Sequence, residues 1–329
     1  MPIGRRRLIA AMGATALVAP LATFGQPSPR VARIGRLSPL TAGIDARNRD
    51  AILNGLLDLG WIEKRNLIVE SRFADGDFDR LPRLAAELVT LKVDVIIAGS
   101  TPGALAARNA TSTIPIVMVT TGDPVVNGLV KSLARPGGNV TGMTALTQEL
   151  GGKRLELFKE ALPGLNRIAV LANPASPDTK PSWQGVSATA RALGITLNLF
   201  EARNAGEIDS AFAQIVKQHA KALMVLQDAM FTTHQKRIVE LATEHRLPAM
   251  YALQDFVNAG GLMFYGVDLP HMYRSAASHV DKILKGSRPA DIPVEQPTKL
   301  ELVINMKAAK ALGIKFSNSL LMRADKVIE

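Results

Sequence analysis

Past residue 30, short apolar runs alternate with longer segments in which apolar residues recur every three or four positions. The two periods predict strands and helices in turn. The first series is strand 33–37, helix 45–59 ending at Gly60, strand 66–73, helix 79–91 with Asp79 as N-cap and Pro82 in its first turn, strand 93–98, helix 102–110, strand 114–120, helix 125–134 and strand 140–143. The pattern then restarts with helix 148–162, strand 167–172, helix 181–193 stopped by Gly194, strand 196–200, helix 205–218, strand 222–227, helix 234–245 and strand 248–251. The end is less regular. It gives an extended connection at 262–265, helix 269–284 before Gly286, an extended stretch marked by Pro289, Pro293 and Pro297, strand 300–304 and helix 307–312 closed by Gly313. Strands that alternate with helices build parallel sheets. The strand at 93–98 is apolar apart from Asp94 near its start, as expected of a strand covered on both faces. The predicted fold class is α/β, with two doubly wound parallel-sheet lobes.

The N-terminus has another character. Arg5, Arg6 and Arg7 precede an apolar run from Leu8 to Leu21, and small residues follow before Gln26. This is the order of a cleavable export signal over residues 1–25, too short for a membrane span. Arg5-Arg6 with Leu8-Ile9 also fits a twin-arginine signal, so both the Sec and Tat routes stay open. The chain has 329 residues, enough for two cores, and 47% of them are hydrophobic. It contains no cysteine, which excludes disulfides, thiolate metal sites and a lipid-modified N-terminal cysteine. The net charge of +10 is scattered after Arg7 and is not interleaved with aromatics, so no nucleic-acid partner is expected.

Parallel α/β sheets bind ligands at the carboxyl ends of their strands. Those positions hold Ser38, Pro39 and Leu40; Gly99, Ser100, Thr101 and Pro102; Thr120 to Pro124; Asn173, Pro174 and Ser176; Gln227 and Asp228; and Tyr251. Ser100-Thr101-Pro102 opens a helix whose free N–H groups suit a carboxylate, and Asp123 is the counter-group for an amine. Signatures of catalysis and metal binding are missing. No serine lies in a G-x-S-x-G elbow, and Gly152-Lys153 is followed by Arg154 rather than by the Ser or Thr of a P-loop. Asp75, Asp77 and Asp79 begin like a calcium loop, but Arg80 occupies the glycine position and Ala86 the glutamate position. The five histidines have no metal spacing. Neither cofactor nor metal is expected.

Several stretches resemble a known family: Gly55-Leu56-Leu57-Asp58-Leu59-Gly60-Trp61, Ala134-Arg135-Pro136-Gly137-Gly138-Asn139-Val140-Thr141-Gly142, Lys153-Arg154-Leu155-Glu156-Leu157, Gly260-Gly261-Leu262-Met263 and Pro293-Val294-Glu295-Gln296-Pro297-Thr298-Lys299. The family is that of exported ABC-transporter substrate-binding proteins of periplasmic-binding type I fold, in the branch related to tryptophan and tyrosine binders. The resemblance implies two lobes, 30–144 with 267–294 and 145–266 with 295–329. Three hinge crossings join them, near 144–147, 265–268 and 294–298. It implies a periplasmic monomer that closes on a small polar solute, an amino acid or related organic acid, and hands it to a membrane permease. Ser38, Ser100, Thr101, Thr121 and Asp123 would line one side of the cleft, and Asn173, Asp228 and Tyr251 the other, with Tyr265 and Asp268 near a hinge. The ammonium would pair with Asp123 or Asp228. Aromatics near loops are few (Phe231, Tyr251, Phe256, Phe264, Tyr265), which leaves an aliphatic amino acid or an organic anion as alternatives. A periplasmic sensor acting on a membrane receptor, or an enzyme on the same fold, are the competing functions.

Overall fold

A computed structural model describes residues 31–147 and 150–329. The expected export signal lies outside the described residues. The first sheet is built from β1 (Ala32–Ser38), α1 (Ala42–Asp58), β2 (Leu67–Phe73), α2 (Leu81–Thr90), β3 (Val95–Gly99), α3 (Ser100–Ala110), β4 (Ile116–Thr120) and β5 (Val140–Thr144). Its strands are all parallel, in the order β2-β1-β3-β4-β5. The second lobe follows with α4 (Leu150–Ala161), β6 (Arg167–Ala172), α5 (Thr179–Leu193), β7 (Thr196–Glu201), α6 (Ala205–Lys217), β8 (Leu223–Val225), α7 (Ala229–Thr233), α8 (Gln235–Glu244), β9 (Ala249–Tyr251), α9 (Gln254–Asn258) and β10 (Met263–Val267). After α10 (Leu269–Leu284) come β11 (Leu300–Asn305), α11 (Met306–Leu312), α12 (Asn318–Met322) and β12 (Lys326–Ile328). The second sheet runs β12-β11-β10-β9-β8-β6-β7, parallel except between β10 and β11.

Both sheets are covered on two faces because successive strand residues point opposite ways. In β6, Leu171 joins Phe200, Phe212, Val225, Phe231 and Phe264 on one face, while Val170 joins Phe158, Val186, Met224 and Ile304 on the other. In the first lobe, Ile34 and Val95 pack with α1 and α10, and Leu37 and Ile96 with α2 and α3. Helix α10 thus returns to the first sheet although it follows β10 of the second. Trp61 Nε1 donates to Asp281 Oδ1 on α10 at 2.9 Å, and Trp183 packs against the second core. Helices α1 and α10 meet closely at Gly55, where an added Cβ would lie 2.5 Å from the Arg274 carbonyl oxygen and 2.8 Å from Ala277 Cβ. Gly55→Ala is therefore expected to cost about 2 kcal/mol by overpacking, read as a lower urea midpoint at an unchanged slope.

Several expectations are corrected. No helix forms over 125–134. Asp123 Oδ1 accepts from the N–H groups of Val125 and Val126, and the Pro124 carbonyl accepts from Leu129 and Val130. Gly128 then takes a left-handed φ of +67°, and the segment is a pinned loop. Asp79 is not the N-cap of α2: Asp77 caps a 3-10 turn, Phe78–Arg80, that leads into the helix. Residues 262–265 are not a connection but lead into β10, inside the second sheet. Helices α7, α9 and α12 and strand β12 carry no prediction, because three- to five-residue elements hold too little periodicity to read.

Three chain crossings join the sheets: from β5 to α4, from β10 to α10, and from Glu295 to β11. They are tied to one another. Glu295 N–H donates to the Gly142 carbonyl at 2.9 Å, and Thr144 N–H to the Glu295 carbonyl at 3.0 Å. Arg154 on α4 is buried and reaches two crossings, donating from Nε to the Tyr265 carbonyl at 2.7 Å and from Nη1 to the Thr147 carbonyl at 3.5 Å. Burial lowers its pKa to about 10, which leaves it cationic at neutral pH.

Candidate ligand cleft

The carboxyl ends of both sheets face a cleft between the lobes, lined from both sides. The first lobe supplies Pro39, Leu40, Asn48, Phe78, Ser100, Pro102, Val119, Thr121, Leu269 and Tyr273. The second supplies Ser176, Asp178, Gln227, Asp228, Ala229, Thr232 and Leu253. The walls are mainly apolar. Among the described residues, the charged side chains of the lining are two carboxylates, Asp178 and Asp228, with no Lys, Arg or His.

Asp228 stands between β8 and α7 and caps the helix. Its Oδ1 accepts from Met230 N at 2.9 Å, from Phe231 N at 3.2 Å and from Asn173 Nδ2 at 3.1 Å. Burial pushes its pKa up to about 6, against the pull of these three donors; the charge of Asp178 adds to the rise. Asp178 comes just before α5 and is raised for the same reason, opposed by Thr101 and Asn127. The Thr101 hydroxyl lies within electrostatic reach of that carboxylate without closing a well-aligned hydrogen bond. Ser100 opens α3 with a left-handed φ of +63°, a conformation that costs a non-glycine residue roughly 1–2 kcal/mol. Its Oγ accepts from Gly103 N at 3.4 Å. Gln227 presents a buried amide oxygen with no protein donor among the described residues, a ready acceptor for a ligand N–H.

The ten residues expected at the site separate into groups. Ser100, Thr121 and Asp228 line the cleft, and Thr101 lies buried directly behind it. Ser38 and Asn173 support it: Ser38 Oγ accepts from Leu40 N at 3.2 Å, and the Asn173 amide joins the ends of β6 and β8 through Asp228. Asp123 turns its carboxylate onto its own loop, so the acidic groups at the wall are Asp178 and Asp228. Tyr251 is away from the cleft. Strand parity sends it with Ala249 into the core, where its ring stacks on Phe256 at 4.8 Å. Tyr265 and Asp268 stand at a crossing, the first offering its carbonyl to Arg154 and the second capping α10 through His271 N. Asn48 and Tyr273 were missed because they sit on helices, beyond any strand-end rule. Asp178 was missed because five residues separate it from the end of β6; its Asp-before-helix pattern was the available signal.

The lobes touch around this space. Asn127 Nδ2 donates to Asp178 Oδ1 at 2.9 Å, Arg47 pairs with Asp255 at 3.6 Å, Gly76 abuts Thr233, and Phe78 packs against both cores. The family model for ABC transporter substrate binding proteins matches residues 42–328. The chain belongs to that family. Among curated relatives of this substrate-binding protein is a tyrosine-binding protein of Clostridioides difficile, 29% identical over 81% of this chain and 76% of the relative. Among solved structures, the ABC domain from Streptococcus pneumonia in complex with L-Trp is 27% identical, covers 90% of this chain and 99% of its own, and superposes with a TM-score of 0.84. A ligand-free, open substrate binding protein from Clostridium difficile, 25% identical over 91% of this chain and 99% of its own, reaches only 0.63. Contacts across the cleft hold the two lobes of this substrate-binding protein against each other.

Proposed function

We propose that this protein captures an amino acid with a large apolar side chain, of the tryptophan and tyrosine class, and presents its closed form to an ABC permease in the membrane. The observation that carries the reading is the charge of the cleft: two carboxylates among apolar walls and, among the described residues, no cationic side chain. Such a site favours an ammonium group on an apolar body and disfavours a simple organic anion. The ligand's own carboxylate is assigned to the first turn of α3 at Ser100 and Thr101, where neutral N–H and hydroxyl groups are offered at the positive end of the helix. What the relatives bind agrees with this. Residues 1–25 are assigned as a cleavable export signal, which puts the mature monomer in the periplasm. The bodies that move are 30–144 with 267–294 and 145–266 with 295–329.

The test is a thermal-shift series. L-Tryptophan or L-tyrosine at a thousandfold excess over its dissociation constant should stabilise the fold by about 4 kcal/mol. Tryptamine, which keeps the ammonium, should shift the melt more than indole-3-propionate, which keeps the carboxylate. A larger shift with the anion, or with succinate alone, would overturn the reading. Ser100→Ala with Thr101→Ala should weaken L-tryptophan binding at least tenfold by calorimetry, roughly the worth of one hydrogen bond to a charged group. Unchanged affinity would remove the carboxylate assignment.

A further inference from the structure

Asp178 occupies the position before α5 where an aspartate ordinarily caps its own helix, yet it makes no capping hydrogen bond. Its carboxylate reaches across to the first lobe instead. There Oδ1 accepts from Asn127 Nδ2 at 2.9 Å, and the group lies flat on the Gly122 backbone. A Cβ added at Gly122 would fall 1.9 Å from Oδ1 and 2.6 Å from Oδ2, so no larger residue leaves room for the carboxylate. The receiving loop is rigidly held. Asp123 accepts from Val125 and Val126 and, through its carbonyl, from Asn127 N–H, and Arg108 donates to the Gly128 carbonyl. The loop is also tied to the first crossing: Thr144 Oγ1 donates to the Gly122 carbonyl at 2.6 Å, and Thr147 Oγ1 to the Thr121 carbonyl at 2.9 Å.

We propose that Asp178, Asn127 and Gly122 form a latch between the lobes, in which Asn127 is a positioning residue that fixes the Asp178 carboxylate at the cleft wall in the closed form and so couples closure to capture of the ligand's ammonium group. Asn127 does not line the cleft and acts through Asp178, which does. The proposal rests on the amino-acid reading above for the identity of the group captured. The latch itself follows from the contacts between lobes. Closure then depends on one amide and one missing Cβ, both outside the ligand's reach.

The absence of native cysteine allows a clean distance measurement. Ser112→Cys on the first lobe and Lys221→Cys on the second, both exposed, would carry a donor and acceptor pair in the full chain. In that background Asn127→Ala is expected to weaken L-tryptophan binding about ten- to a hundredfold, mostly through faster release, with the melting temperature of the ligand-free protein unchanged. Gly122→Ala is expected to wedge the lobes apart, so that the distance change on adding L-tryptophan is lost. A role confined to folding would lower the melting temperature without touching the distance change. Wild-type affinity and full closure in both variants would overturn the latch. If neither L-tryptophan nor L-tyrosine binds the parent protein, the amino-acid reading fails instead. The latch is then decided in the ligand-free protein, where Gly122→Ala should remove the short-distance population; an unaltered distribution would overturn it.

Discussion

Asp228→Asn is expected to weaken L-tryptophan binding about a hundredfold or more at pH 7.5 and, at the same pH, to raise the melting temperature of the ligand-free protein. Both effects come from one buried carboxylate. Oδ1 takes all three donors, from Asn173, Met230 and Phe231, and an asparagine oxygen accepts the same bonds, so the cap on α7 survives. What the substitution removes is the charge. Burial raises the folded-state pKa to about 6, from the ordinary aspartate value of 3.8. Between those values the folded protein holds a proton that the unfolded chain releases. This group's contribution is therefore most favourable below pH 4. It declines as pH rises through 6, and above that the full cost of the buried charge stands, at most roughly 3 kcal/mol. The asparagine variant escapes that cost, so its advantage in melting temperature should grow from pH 4 to 7 and then level off. Binding runs the other way. Truncating one member of a buried charged pair costs about 2–5 kcal/mol, and wild-type affinity for an ammonium ligand should climb through pH 6 and flatten above 7. Calorimetry of both proteins from pH 5 to 8 checks each part. Wild-type affinity in the variant would move the ammonium to Asp178 alone.

This trade between stability and capture bears on what the sequence could tell. Repetition of strand and helix is written in apolar spacing, and both doubly wound sheets were legible from it. So was the principle that the site lies at strand ends, which brought in Ser100, Thr121 and Asp228. Two kinds of residue escaped it. Tyr251 is the last residue of β9, but its parity, shared with Ala249, directs the ring into the core against Phe256. Asn48 and Tyr273 come to the cleft from α1 and α10, and α10 is placed there only by the chain's return to the first lobe. The loop at 125–134 shows the same limit on a smaller scale. Its apolar spacing reads as a helix, but the Asp123 side chain captures the first N–H groups and Gly128 turns the chain away. Local competition by a side chain and long-range return of an element are both invisible to periodicity.

Gly142 joins the hinge to the sheet, and Gly142→Ala should be the most damaging single methyl in the first lobe. The residue sits in β5 opposite Met118 of β4, with φ at +132°, a region closed to residues bearing a Cβ. An added Cβ would lie 2.1 Å from the Met118 carbonyl oxygen and 2.7 Å from its nitrogen. Both are backbone atoms, so no rotamer change relieves the overlap, and the β4–β5 pairing must give way. More than one strand pair depends on it. The Gly142 carbonyl accepts from Glu295 N–H, and Thr144 two residues on donates to the Glu295 carbonyl, so the third crossing is stapled to the strand this glycine allows to form. A loss of about 3–5 kcal/mol is expected, near the upper end for point substitutions, with a melting temperature lower by roughly 10 °C. Gly138→Ala is the matched control: an added Cβ there meets nothing within 4 Å, and the change should stay within about 0.5 kcal/mol. Urea titration of the three proteins measures both. If Gly142→Ala unfolded at the wild-type midpoint, the register of β5 against β4 would be wrong, and with it the anchoring of the crossing that lets the lobes close as bodies.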